Sequence, residues 1–139
     1  MEKTGRKLTN KVFMSLYNIL VIGIGGFFGA ICRFVISKQM AFWLGDSFPF
    51  GTLLVNAVGS FLLGFLSRYL LEHFVVTELF RVSILIGFLG AFTTFSTFSY
   101  ESITLLQEGD LLKAAINIIS NVLLCLILCF VGFQFSKSL

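Results

Sequence analysis

The chain has 139 residues, of which 57% are hydrophobic and only 12% are charged, and its formal net charge is +3. A soluble domain usually has about a quarter of its residues charged, and one core of this size could not bury so much apolar surface. The composition therefore excludes a soluble globular domain and predicts a small integral membrane protein.

Four apolar segments are long enough to cross a bilayer, since each is close to the ~20 residues that a spanning helix needs. We predict the spans at 14–36, 52–71, 82–106 and 112–135, with short polar loops at 37–51, 72–81 and 107–110. The first apolar segment is too long for the core of a removable signal peptide. The expected organisation is a basic tail at 1–13 followed by a four-helix transmembrane domain at 14–139.

Basic residues near the ends of the spans indicate orientation. With four spans, the side that holds the tail carries seven of them: Lys3, Arg6, Lys7, Lys11, Arg68, Arg81 and Lys137. The other side carries Arg33, Lys38 and Lys113. Because the tail supplies the whole surplus, the chain from Met14 onward is balanced. Two interpretations stay open: an orientation set by the tail, or insertion in both orientations.

Small residues recur at a spacing of four in the predicted helices. Gly25 and Gly29 form such a pair in the first span, and Gly87 and Ala91 form one in the third. This spacing lets helix backbones approach closely. Four thin helices cannot enclose much of a pathway alone, so we expect an oligomer, most simply a two-fold dimer.

The segment 93–99 contains only threonine, serine and phenylalanine, although it lies within an apolar span. Hydrocarbon cannot satisfy hydroxyl groups, so such a segment must be buried in protein or line a hydrated path. It therefore predicts a pore or binding site. Phe92, Phe95 and Phe98 are spaced by three and should share one helix face. That stripe is either packing or a row of positive ring edges suited to an anion.

Amides also lie within the spans. Asn56 interrupts the second span, where it either holds helices together or has a functional role. Asn117, Ser120 and Asn121 give the fourth span a polar stripe. This stripe fits tight contact with another helix and the lining of a pore equally well. No acidic residue lies deep in a span, and Glu101 is the nearest. This argues against a proton-driven pump and a carboxylate-lined cation channel. The neutral donors that remain suit an anion.

Three cysteines, Cys32, Cys125 and Cys129, fall inside spans, where a free thiol behaves as a small apolar group. The lone His73 falls in a loop, so no cluster of metal-ligating histidine and cysteine is expected. We find no constellation typical of an enzyme, and we expect no nucleic-acid partner.

Three motifs follow one another along the chain: Gly25-Gly26-x-x-Gly29-Ala30-x-x-Arg33, Gly51-Thr52-Leu53-x-x-Asn56-x-x-Gly59, and Gly87-Phe-x-Gly90-x-x-Thr93-Thr-Phe-Ser-Thr-Phe-Ser-x-Glu101. Together they resemble the CrcB/Fluc family of fluoride channels, over nearly the whole chain from about Met14. The third motif is long and unusual, which makes the resemblance specific.

The resemblance implies an all-α membrane protein that forms an antiparallel, dual-topology homodimer in the plasma (inner) membrane. It implies that the third helix is broken in the middle of the membrane. The dimer would hold two fluoride pores and one structural sodium ion at its centre. Backbone carbonyls of Gly90 and Thr93 from both subunits would bind that sodium ion.

The resemblance also assigns roles to side chains. Asn56, Phe95 and Phe98 match residues that line the fluoride path, and Thr94, Ser96 and Thr97 would supply hydroxyls near it. Arg33 and Glu101 match residues at the pore mouth. Asn117, Ser120 and Asn121 are carried over only as pore or interface residues.

The function expected from this resemblance is a fluoride-selective channel that lets cytoplasmic fluoride leave the cell passively and so lowers its toxicity. One alternative is a small, four-span, dual-topology, proton-coupled exporter, but that class needs a deep carboxylate. Another is a membrane scaffold subunit, which would explain the asparagines but not the threonine, serine and phenylalanine segment. The fluoride and drug sensitivities of a deletion strain would discriminate among the three.

Overall fold

The computed structural model describes residues 2–72 and 78–139, with side chains at 16–71 and 79–139. Within these ranges the chain consists of helices joined by short loops. Helix α1 spans Glu2–Leu44 and α2 spans Phe50–Glu72. Helix α3 comprises Glu78–Val82, a π-helical stretch Ser83–Leu89 and a last turn Gly90–Phe92. Helix α4 spans Phe95–Gln107, and α5 comprises Leu111–Ile119, π-helical Ser120–Leu124 and Cys125–Lys137.

The four predicted spans are confirmed, although their ends differ. Segments long and apolar enough to cross a membrane lie at Leu16–Leu44, Phe50–Leu71, Leu79–Gln107 and Leu111–Lys137. The predicted loop at 107–110 is correct within one residue. The predicted loop at 72–81 is wrong at its second end, because α3 begins at Glu78, and His73 lies outside the described residues.

The predicted loop at 37–51 is too long, because α1 continues to Leu44. Residues 37–44 contain no helix breaker, so nothing in them ends the helix. The helix ends at Gly45, whose φ of +78° is a left-handed conformation that glycine adopts at low cost. Its amide donates to the Ala41 carbonyl at 2.9 Å. At the other end of α1, the predicted tail is helical from Glu2 and continuous with the first span.

Glycines let the helices touch backbone to backbone. A Cβ at Gly25 would meet the Ser83 carbonyl, and one at Gly29 would meet the Phe88 carbonyl, so α1 lies directly against α3. Gly64 on α2 faces the Cys129 carbonyl of α5 in the same way. The close approach predicted from the glycine spacing is therefore confirmed.

Many of the residues buried in the described part of the chain are polar. Among the described residues, the buried apolar core is small and centres on Val55, Leu89 and Phe92. Eight apolar residues are buried in the described ranges, and the buried polar residues there number six: Thr52, Asn56, Ser102, Asn117, Asn121 and Ser136. Most large apolar side chains are instead exposed, as expected for a surface in contact with lipid. The polar residues occupy the position where a membrane protein would hold a path or a site.

We expect Gly29→Ala to destabilise the protein and Gly23→Ala to leave its stability unchanged or slightly raised. The added methyl at Gly29 would meet the Phe88 carbonyl, whereas no atom lies within 4 Å of a Cβ at Gly23. Overpacking of this kind costs on the order of 1–3 kcal/mol, and alanine is the better helix former. Thermal unfolding in detergent, followed by size-exclusion chromatography, would measure both. Equal stabilities of the two variants would contradict this account of α1–α3 packing.

Candidate functional site

The third apolar segment is interrupted at Thr93 and Thr94. Helix α3 ends at Phe92, both threonines have extended backbones with ψ of 157° and 120°, and α4 begins at Phe95. Thr94 caps α4, because its Oγ1 accepts a hydrogen bond from the Thr97 amide at 3.2 Å. A threonine hydroxyl competes with helical backbone bonding and favours such caps. The local sequence thus explains why the helix restarts here.

The side chain of Asn56 on α2 forms hydrogen bonds with the backbone of Thr94 at this interruption. Its Oδ1 accepts the Thr94 backbone amide at 2.8 Å, and its Nδ2 donates to the Thr94 carbonyl at 3.0 Å. Its Nδ2 also donates to Asn121 Oδ1 at 2.9 Å. The Asn56 side chain therefore replaces the helical acceptor of the Thr94 amide and adds a donor to the Thr94 carbonyl, and both of its Nδ2 hydrogens have acceptors.

The interruption changes the bonding of two backbone carbonyls. In a continuous helix, the Thr94 amide would donate to Gly90 and the Thr97 amide would donate to Thr93. The Thr94 amide donates instead to Asn56, and the Thr97 amide donates to the Thr94 hydroxyl. The carbonyls of Gly90 and Thr93 thereby lose their helical donors.

The amides of the fourth span join the same network. Asn121 Nδ2 donates to Asn117 Oδ1 at 2.9 Å, and Asn117 Nδ2 donates to Ser102 Oγ at 2.9 Å. Asn117 and Asn121 are both buried, with exposures of 0% and 5%. Ser120 is half-buried, and it does not line the groove that runs along the interruption.

A groove of about 390 Å³ runs along the interruption. Its polar lining includes Asn56, Thr94 and Asn121, and Phe95 and Phe98 form part of its apolar wall. Gly90 and Thr93 line it as well. The rings of Phe95 and Phe98 lie 5.3 Å apart at 60°, with Phe95 77% exposed and Phe98 only 7% exposed.

The predicted stripe of three phenylalanines is wrong in one member. Phe92 precedes the interruption, and its ring stacks on Phe88 at 5.8 Å in the apolar core. The spacing of three aligns side chains only along a continuous helix. The two extended threonines break that register, so Phe92 is a packing residue.

Two further cavities share Ser37 and Thr52, and the first of them lies beside the interruption. The first, of about 230 Å³, is lined by Arg33, Thr94 and Thr97. The second, of about 240 Å³, is lined by acidic residues and loop residues: Asp46, Glu101, Glu108 and the segment around Pro49. Ser37 and Thr52 therefore lie between the cavity of Arg33 and the cavity lined by the acidic residues.

Arg33 and Glu101 are both anchored. Arg33 Nε donates to the Ala91 carbonyl at 3.0 Å, next to the interruption. Glu101 Oε1 accepts the Thr52 hydroxyl at 2.7 Å, whereas its Oε2 is buried without a partner among the described residues. Both side chains thus help to hold the helices around the interruption, besides facing the cavities.

Residues 20–133 match the family model described as CrcB-like protein, Camphor Resistance (CrcB). This chain belongs to the CrcB family. Three similar proteins carry the name "Fluoride-specific ion channel FluC". The one from Methylococcus capsulatus is 47% identical over 122 residues, which cover 88% of this chain and 54% of that protein. This chain thus spans about half the length of the Methylococcus relative. The ones from Aliivibrio salmonicida and Shewanella oneidensis are 47% and 49% identical over 117 residues, which cover 84% of this chain and 93% and 94% of theirs.

The structure of this CrcB chain gathers most of the predicted site residues at the interruption. Ser96 lies beside it, with its Oγ 3.3 Å from Thr94 Oγ1. Ser99 lies outside it, because its hydroxyl donates to the Phe95 carbonyl of its own helix. The sequence did not identify Ser102, which accepts a hydrogen bond from Asn117, or the bond from Thr52 to Glu101. Ser102 and Thr52 each carry a single hydroxyl in an apolar span, and only the hydrogen-bond partner distinguishes either from other hydroxyls.

Proposed function

We propose that this chain is a fluoride-selective channel that lets cytoplasmic fluoride cross the inner membrane passively. The name of its relatives supports this proposal. The observation that carries it is the Asn56 amide, which presents neutral donors at the interrupted segment. The proton-coupled exporter is not favoured. That class needs a carboxylate deep in the membrane, and no acidic residue lies near the middle of the first span.

Neutral donors suit the physical problem that fluoride poses. Moving a small ion into a dry medium costs on the order of 20 kcal/mol by the idealised Born estimate. The path must therefore replace most of the hydration shell, yet no single site should hold the ion too strongly. The Asn56 amide, the hydroxyls of Ser96 and Thr97 and the ring edges of Phe95 and Phe98 would together replace that shell.

The hydrogen bonds of Asn56 imply that fluoride displaces an existing acceptor rather than binding to a free donor. Both hydrogens of its Nδ2 already have acceptors, the Thr94 carbonyl and Asn121 Oδ1. Fluoride would therefore take the place of one acceptor, and the original hydrogen bond would re-form as the ion leaves. This exchange keeps net binding weak, because the bond that is lost offsets part of the bond that is gained.

Two subunits would complete the path. The groove is open on one side, and Phe95, which lines it, is 77% exposed in the single chain. We propose that a second copy, in antiparallel orientation, supplies the missing wall. The balanced charge from Met14 onward is compatible with insertion in both orientations. The interruption would then lie within the membrane, near the two-fold axis.

The carbonyls of Gly90 and Thr93 fit a sodium ion. Sodium in membrane proteins is coordinated by carbonyls of unwound backbone, and these two carbonyls have lost their helical donors. Gly90 is exposed, and a Cβ there would make only an ordinary contact with the Leu85 carbonyl at 3.9 Å, so a second copy could approach it. With two subunits, four carbonyls would hold the ion, which would supply fixed positive charge and brace the interrupted helices.

The test is fluoride release from liposomes. The purified protein would be reconstituted in vesicles loaded with potassium fluoride, and a fluoride electrode would follow release after a potassium ionophore is added. Vesicles loaded with potassium chloride would serve as the control. We expect fast fluoride release and little chloride release. Absence of fluoride release from folded protein in sodium buffer would contradict the proposal and favour a scaffold role.

A further inference from the structure

Four side chains on three helices and one backbone amide at the interruption form a continuous chain of hydrogen bonds, which we call the amide chain. It begins at Ser102 on α4, passes through Asn117 and Asn121 on α5, and reaches Asn56 on α2 and the Thr94 amide. Its links measure between 2.8 and 2.9 Å. The four side chains are 9% exposed or less. Ser102 and Asn117 are 3% and 0% exposed and do not line the groove, so water does not substitute for the link between them.

All hydrogen bonds of the amide chain run in the same direction from donor to acceptor, and both ends of the chain fix that direction. At one end, the Ser102 hydroxyl donates to the Phe98 carbonyl at 2.8 Å, so toward Asn117 it acts as an acceptor. At the other end, the Thr94 amide is a donor and requires the oxygen of Asn56. A single reversed amide in between would place oxygen against oxygen or N–H against N–H. Because the oxygen and nitrogen ends of an asparagine side chain have nearly the same shape, hydrogen bonds define its orientation. Asn56 Nδ2 also donates to the Thr94 carbonyl, and Asn121 Nδ2 also donates to the Asn117 backbone carbonyl at 3.1 Å. Among the described residues, the side chain of Asn117 is oriented by its bonds to Ser102 and Asn121.

We propose that Ser102 is a positioning residue for fluoride conduction, which acts through Asn117 and Asn121 on the Asn56 amide. This inference rests on the proposed function. Ser102 is not among the residues that line the groove. Its hydroxyl keeps Asn117 in the orientation that returns Asn121 Oδ1 to the Asn56 Nδ2. When fluoride takes the place of that oxygen, the amide chain restores the resting hydrogen bond after the ion leaves.

A matched pair of serines provides the test. The hydroxyls of Ser102 and Ser99 both donate to the carbonyl four residues earlier on α4, at 2.8 and 2.9 Å. Only Ser102 also accepts an amide. In the liposome assay with the full-length protein, we expect Ser102→Ala to slow fluoride release about fivefold, because a buried amide hydrogen loses its acceptor. Ser99→Ala should release fluoride at the wild-type rate.

A double-substitution experiment distinguishes positioning from a general effect on the fold. In an Asn121→Ala background the amide chain is already cut, so Ser102→Ala should cause no further loss of flux. An equal additional loss in that background would overturn the proposal, since independent effects add. Ser102→Thr, which restores a hydroxyl, should recover most of the flux. If Ser102→Ala does not fold, Ser102→Cys tests the same point, because a thiol is a weak acceptor of similar size.

The possible results separate this inference from the proposed function. Equal flux in Ser102→Ala and Ser99→Ala, with a conducting wild type, would overturn the role of Ser102 alone. A wild type that releases no fluoride would overturn the proposed function and this inference with it. Slower release in Ser102→Ala that depends on an intact Asn121 would support both.

Discussion

Replacing Asn56 by leucine should slow fluoride release by roughly 100-fold, the effect expected when an oriented donor is removed from a dry site. Leucine has a similar size but cannot donate to the ion. It would also leave the Thr94 amide and Asn121 Oδ1 without the partners that they have at 2.8 and 2.9 Å. Flux in proteoliposomes, normalised to the amount of folded protein recovered by size exclusion, would measure the loss.

The matched control for this change is Asn18→Leu. Asn18 is another asparagine within a span, on α1, and its Oδ1 is buried without a hydrogen-bond partner among the described residues. Its replacement should leave the flux unchanged. Wild-type flux in Asn56→Leu, or an equal loss in both variants, would contradict the role that we assign to Asn56.

The second large effect is expected at the two phenylalanines of the groove. Phe95→Ile and Phe98→Ile keep apolar bulk but remove the positive ring edge, so each should slow fluoride release by roughly tenfold. The two rings are 5.3 Å apart, so one ion could contact both edges in succession. We expect the double variant to be close to inactive in the same assay while the protein remains folded.

Phe42→Ile serves as the control, because Phe42 is 82% exposed near the end of α1, away from the groove. It should conduct as the wild type does. If Phe95→Ile and Phe98→Ile both conduct at the wild-type rate, ring edges are not part of the path. A loss that tracks reduced thermal stability instead would assign both rings to packing.

The sequence predicted the number of spans and most of the residues at the interruption. Long apolar segments have an unambiguous length requirement, and an asparagine in such a segment is conspicuous. Asn56 and Asn121 could be found for this reason. That they bond to each other, 65 positions apart, could not, because the pairing depends on how α2 and α5 pack.

Two errors have local physical causes. The predicted first span stops at residue 36 because the segment after it is polar, but Lys38 and Gln39 are good helix formers and α1 ends only at Gly45. The spacing of three aligns Phe92 with Phe95 and Phe98 only along a continuous helix, and the helix is interrupted at Thr93 and Thr94. Polarity alone does not distinguish a loop from a helix that leaves the membrane, and spacing alone does not reveal a broken helix.

The length of α1 would allow the relative orientation of two associated copies to be measured. Its 43 residues extend roughly 64 Å at 1.5 Å per residue, of which the part before Leu16 accounts for about 21 Å. Two subunits inserted in opposite directions would hold the starts of these helices about 80 Å apart, across a bilayer of roughly 40–45 Å. Two parallel subunits would hold them on one side. Energy transfer between dyes attached near Glu2 would therefore report the orientation. The dyes would be too distant for transfer between antiparallel copies and within range of it between parallel copies.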